Sequence, residues 1–184
     1  DEAIDYLHKM DSLAPDRPFF LYYAPGGVHA PHHPTPEWVK KIEDMKLFDD
    51  GWNKLRDTIF ANQKKLGVIP QDAELTPWPA DILKNWDDLN LVEKKLFERQ
   101  MEVYAAYLGY VDDEVGRVVK AIEDSGELDN TLIIYISGDN GPSAEGSPVG
   151  TPNEMTFFNG IEVPVADQMK FYDAWGSQFT YPHM

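Results

Sequence analysis

Apolar and polar positions divide the chain into two short apolar runs, a long amphipathic stretch between them, and a polar interval rich in tryptophan. Pro18-Phe-Phe-Leu-Tyr-Tyr-Ala-Pro25 and residues 132–137 (Leu-Ile-Ile-Tyr-Ile-Ser) are aromatic or β-branched over strand length, which predicts two buried strands. Between them apolar residues recur at Val92, Leu96, Val103, Tyr104, Tyr107, Leu108, Val111, Val115, Val118, Val119 and Ile122, the spacing of a helix with a wide buried stripe. Asn90 followed three residues later by Glu93 has the form of a capping box at its start, and Gly126 stands where a C′ glycine closes a helix. Gly109 and Gly116 inside it each cost on the order of 1 kcal/mol relative to alanine, and are expected where the helix runs close to a sheet.

Three further elements follow from the same reading. A helix is predicted over 50–66, with Trp52, Leu55, Ile59 and Leu66 on one face and Gly67 after it. Residues 3–10 read as the end of a helix leading into the first strand. The interval from about 34 to 89 reads as a helical insertion rich in Trp, Pro and charge, with an irregular connection around Trp78. Its tryptophans (Trp38, Trp52, Trp78, Trp86) are expected to hold the insertion onto the domain, contact with an apolar aglycone or a sugar being their other use. Residues after 156 predict no particular element.

A strand, a crossover helix and a second strand make a right-handed βαβ unit with parallel strands. The expected class is therefore α/β. Parallel strands bring their C-terminal ends to one edge of the sheet, where open α/β folds bind ligands. The two loops that follow the strands should share that rim.

Both loops carry chemistry. Gly26-Gly-Val-His-Ala-Pro-His-His-Pro34 holds three of the five histidines. Imidazole can bind an anion, donate a proton near neutral pH or ligate a metal, so His29 is a site candidate, while His32 and His33, between prolines, read as packing residues. The second loop offers Asp139 and Asn140, hard oxygen donors of the kind Ca²⁺ and Mg²⁺ select, followed by Gly141 for a tight turn. An Asn-Gly pair after a strand is also the commonest short hairpin turn. Convergence of the two loops on one rim favours the ligand reading.

Several stretches in order resemble the arylsulfatases, the sulfatase family within the alkaline-phosphatase-like superfamily. They are 18–34 (PFFLYYAPGGVHAPHHP), 48–100, Met101-Glu-Val-Tyr-Ala-Ala, Gly126-Glu-Leu-Asp-Asn-Thr, Ser137-Gly-Asp-Asn-Gly-Pro-Ser-Ala-Glu-Gly146 and Gly150-Thr-Pro-Asn-Glu154. The resemblance implies a partial alkaline-phosphatase-like fold, a small-molecule sulfate ester as substrate, and a periplasmic or secreted location. It assigns Asp139 and Asn140 to the active-site Ca²⁺, and His29 to the sulfate group and its leaving oxygen.

The chain departs from the family pattern in ways that bear on activity. Sulfatases make a formylglycine from a Cys/Ser-x-Pro-x-Arg motif, and this chain has no cysteine; its nearest stretch, Ser12-Leu-Ala-Pro-Asp-Arg17, has one residue too many before the proline. The family's early Asp-Asp ligands, its Lys-x-His pair and its later lysine have no counterparts. With no initiator Met, the 184 residues are expected to be the middle of a longer catalytic domain, with the formylglycine outside it.

Charge narrows the partners. Thirty-two acidic against sixteen basic residues give a formal −16, which lacks the basic footprint a nucleic acid requires. It would also repel a sulfate ester, so a cation and clustered donors are needed to draw an anion in. No apolar run approaches the roughly 20 residues of a membrane span. Two other functions fit the same residues: a phosphodiester or phosphonate hydrolase of the same superfamily, and a non-catalytic acidic α/β domain. Asn140 leans toward the sulfatase, because an amide oxygen suits an alkaline-earth ion better than Zn²⁺. The 184 residues alone are expected to be inert toward an aryl sulfate, which release of 4-nitrophenol from its sulfate ester tests; turnover would contradict the fragment reading.

Overall fold

The computed structural model describes residues 1–138 and 146–183. Its helices are α1 (Glu2–Leu13), α2 (Pro36–Met45), α3 (Gly51–Leu66), α4 (Leu91–Asp124), α5 (Met155–Phe158) and α6 (Val165–Gln168), with 3₁₀ turns at Trp86–Asp88, Leu128–Asn130 and Met169–Ala174.

The 34-residue α4 is the element on which the others are laid. Its start is the capping box anticipated above. Asn90 Oδ1 accepts from the N–H groups of Val92 (2.9 Å) and Glu93 (3.0 Å), and Glu93 Oε2 accepts from Asn90 N–H at 2.9 Å. Gly126, at φ 79°, follows its end, and Glu127 N–H donates back to Ile122 O at 3.2 Å. One stretch of α4 buries Leu96, Phe97, Val103 and Ala106 against Val39 and Ile42 of α2, together with Phe48, Trp86, Leu89 and Trp175. Burying each large apolar side chain contributes roughly 1.5–3 kcal/mol. Farther along, Val118, Ala121 and Ile122 receive Leu7 of α1.

The tryptophans of 34–89 turn inward. Trp52 stacks on Trp78 (6.4 Å, 17°), meets Trp86 edge-on at 5.1 Å, and lies 5.6 Å from Phe97 of α4. Their indole N–H groups donate to backbone carbonyls, Trp52 to Lys84 and Trp78 to Leu83. Gly51 has φ 74° and lies under the Trp86 ring, where a Cβ would come within 2.1 Å of it. Only glycine fits there.

The expected parallel strands are not formed. Among the described residues there is no strand or sheet, only the isolated bridges Thr151–His183 and Asn153–Tyr181. A strand must hand its N–H and C=O groups to a neighbour. Residues 18–25 and 132–138 take part in none of the backbone hydrogen bonds between described residues outside the helices. Phe19 and Leu21 rest on the α1–α4 cluster, while Phe20 and Tyr22 face outward at 85% and 81% exposure. Leu132, Ile134 and Ile136 are exposed, so the run expected to be buried lies open. The α/β class is therefore corrected to a helical arrangement, and no sheet rim underlies the histidine loop among the described residues.

Smaller corrections have the same origin. Gly109 is a point of close approach, but to Trp38 of α2, whose ring a Cβ would meet at 3.0 Å; a Cβ on Gly116 would meet open space. Ile59 and Leu66 are exposed, so the buried face of α3 rests on Trp52 and Leu55.

Asn90→Ala should lower the unfolding free energy by about 1 kcal/mol through loss of the cap. Gly51→Ala should cost more, since the Trp86 ring must move. Urea denaturation checks both, and a wild-type midpoint for Gly51→Ala would contradict the packing.

Candidate functional site

Gln100, Tyr104, Tyr107 and Val111 follow one another at spacings of four, three and four residues, so they line one face of α4. Two separate segments are seated on that face.

The first is the histidine loop, 26–34. Gly27 lies so close to α4 that a Cβ would come within 2.5 Å of Val111 Cγ2 and 3.3 Å of the Tyr107 hydroxyl. Farther along, the His32 ring meets Tyr104 edge-on at 5.1 Å and Tyr107 at 6.1 Å. Its backbone N–H donates to Pro182 O at 3.1 Å, and the His33 Nε2–H donates to Thr180 O at 2.9 Å.

The second segment is 146–154, clasped by residues 180–183. Thr151 and His183 exchange backbone hydrogen bonds of 2.8 and 3.1 Å, and Glu154 N–H donates to Tyr181 O at 2.9 Å. This pairing carries the His183 ring edge-on to His32, 5.2 Å away, and sets Glu154 Oε2 3.8 Å from His183 Nδ1. Gly146 closes against the same residue, where a Cβ would lie 2.7 Å from His183 O. An amide pair ties the segment to α4. Gln100 Nε2 donates to Val149 O and to Gln168 Oε1, both at 3.1 Å, and Gln168 Nε2 donates to Gly150 O (3.1 Å) and Val163 O (2.9 Å).

The result is a buried polar cluster. His32, His183 and Glu154 are 2%, 3% and 7% exposed. Burial pushes the His32 pKa down to about 4, and the neighbouring imidazoles of His183, His29 and His33 act in the same direction. At neutral pH His32 is therefore uncharged, able to donate or accept a hydrogen bond but not to serve as a proton source.

The residues singled out from the sequence fare differently. His29 is exposed on the loop, its N–H bonded to Gly26 O at 3.0 Å and its Nδ1 2.7 Å from Ala30 O. Asp139 and Asn140 lie outside the described residues. Among the described residues no group of three or more His, Cys, Asp or Glu could hold a metal ion, and no helix is long and apolar enough to cross a membrane. His32 does pack, as expected, but it packs beside His183, whose other neighbour is Glu154. The sequence offered a weak signal for that grouping, since residues after 156 suggested no element and the contact depends on a bridge between distant segments.

Because the folded-state pKa of His32 lies below its ordinary 6.5, the unfolded chain takes up the proton first as pH falls. Stability should be unaffected by this group above about pH 6.5 and should decline from there toward about pH 4. Urea midpoints across that window should fall less steeply for His32→Asn than for wild type; equal slopes would contradict the burial.

Residues 1–178 match the sulfatase family. An uncharacterized sulfatase of Schizosaccharomyces pombe is 36% identical over 149 residues, covering 80% of this chain and 25% of that protein. An arylsulfatase of Klebsiella aerogenes is 26% identical over 146 residues, covering 77% of this chain and 30% of that protein. An N-acetylglucosamine-6-O-sulfatase of Bacteroides thetaiotaomicron is 25% identical over 178 residues, covering 74% and 31%. The chain thus spans between 25% and 31% of the length of these relatives. With the match running from the first residue through α6 and the C-terminal 3₁₀ turn, this chain belongs to the sulfatase family.

Proposed function

We propose that the chain is a segment of a calcium-dependent sulfuric ester hydrolase acting on a small-molecule sulfate ester, and that it contributes metal ligands and a sulfate-facing histidine, His29. The observation that carries this reading is the match of residues 1–178 to the sulfatase family, together with the exposed His29 on the loop that Gly27 seats against α4. In a chain of net charge −16, an exposed imidazole offers an anion a hydrogen-bond donor without adding further negative charge.

Asp139 and Asn140 would hold the Ca²⁺. Their donor set fits a hard cation, one anionic carboxylate and one neutral amide oxygen, and the rest of a coordination shell of six to eight oxygens would come from other groups. When bound, Ca²⁺ supplies positive charge that offsets charge on the sulfate oxygens as the S–O bond breaks. The nucleophile is not among these 184 residues, which contain no cysteine and no Cys/Ser-x-Pro-x-Arg motif.

The two histidines divide the remaining work. His29 is exposed, and with its Nδ1–H directed at Ala30 O the ring presents Nε2 outward. In the imidazolium form the second proton sits on Nε2, from which it passes to the departing alkoxide or phenoxide oxygen and leaves the ring as the neutral Nδ1–H tautomer. His32, neutral and buried, orients the loop and donates a hydrogen bond without giving up its proton.

In the full-length enzyme, His29→Ala should lower kcat by about 10²–10⁴-fold with metal content intact. Asp139→Ala should lose calcium and activity together. Steady-state kinetics with elemental analysis checks both. If His32→Asn abolished turnover while His29→Ala left kcat unchanged, the proton-transfer role of His29 would be refuted. A preference for Zn²⁺ with faster phosphate release would refute the sulfatase reading itself.

A further inference from the structure

Gln100 and Gln168 have no place in the chemistry outlined so far, yet they are among the most buried polar side chains described, at 6% and 0% exposure. Their four hydrogen bonds use both Gln168 donor hydrogens and fasten three backbone carbonyls, those of Val149, Gly150 and Val163. Gly150 sits at φ 68°, and a Cβ there would lie 2.8 Å from Gln100 Nε2. The backbone is therefore drawn onto the amide pair as closely as a side-chain-free residue allows.

What these carbonyls belong to gives the pair its meaning. Thr151 is the next residue, and its backbone exchange with His183 sets the ring that meets His32. On the other side, the same segment runs back to Gly146 and to the loop carrying Asp139 and Asn140. Gln100 also stands one turn before Tyr104, which meets the His32 ring edge-on at 5.1 Å.

We propose that Gln100 and Gln168 are positioning residues of the site: they set the depth at which segment 146–151 meets α4, and thereby the placement of His183 against His32. The catalytic consequence rests on the sulfatase reading above; the structural coupling does not. The pair reaches His32 through Gly150, Thr151 and His183 in turn, each link being a contact already described.

The test uses the full-length protein with ¹³C,¹⁵N-labelled histidine, the His32 signals being assigned with His32→Asn. Gln168→Glu keeps the shape but sets a carboxylate oxygen against the Gly150 and Val163 carbonyls. Gln168→Met removes the polar group and serves if the first variant fails to fold. The expected result is a shift of the His32 ring resonances in either variant, measured well below its melting temperature. Turnover of a sulfate ester should fall about 10- to 100-fold in kcat, with KM within about twofold, the scale of a misplacement near 1 Å. A His32 shift in a protein that turns over no sulfate ester would uphold the positioning role and discard the sulfatase reading. Unchanged His32 resonances and wild-type kcat, with only a lower melting temperature, would show that the amide pair merely stabilises the fold and would overturn the proposal.

Discussion

One face of one helix must receive two backbones at van der Waals distance, and the arrangement of the site follows from that requirement. Side chains at 100, 104, 107 and 111 recur at spacings of four, three and four, which holds them within one stripe of α4. At its two ends the approaching chain is glycine: Gly27 against Val111, and Gly150 against Gln100. A methyl group at either point would collide. Between these contacts the rings of Tyr104 and Tyr107 support His32, with His183 at its edge. Among the described residues it is a helix stripe, not a sheet edge, that brings the histidine loop and segment 146–151 side by side.

The same geometry explains the electrostatics. Seating His32 between tyrosines and a second imidazole removes it from water, and the charged ring loses more hydration than the neutral one. Glu154 lies beside His183, its Oε2 3.8 Å from Nδ1. His29, on the same loop but exposed, keeps contact with solvent. Two histidines three residues apart thus differ in their exposure to water, within a chain whose overall charge is strongly negative.

Legibility in the sequence followed the range of the interactions concerned. The capping box at Asn90–Glu93, the stripe from Leu96 to Ile122 and the glycine at 126 are local signals, and the helix they describe is α4. The helix after Asp50 was equally readable, although Ile59 and Leu66 point outward. Strand propensity at 18–25 and 132–137 was just as clear in the residues, but a ladder needs a second backbone, and no residue pattern within a segment supplies one. For the site, the His-rich loop stood out by composition. Its partners did not, because Glu154 and His183 are brought to His32 by pairing between 151–154 and 180–183 and by the two glutamines beneath. Asp139 and Asn140 were singled out by donor chemistry and by resemblance, and their placement lies outside the described residues.

The most direct test of the helix-face arrangement is a nuclear Overhauser measurement on the full-length protein, reading both seats in one sample. Cross-peaks are predicted between the His32 and Tyr104 rings, whose centroids are 5.1 Å apart, and between the Gly150 α-protons and the Gln100 side-chain amide. Both sets together place the two segments on one stripe of α4. The presence of one set without the other, in a folded sample with both residues assigned, would contradict it.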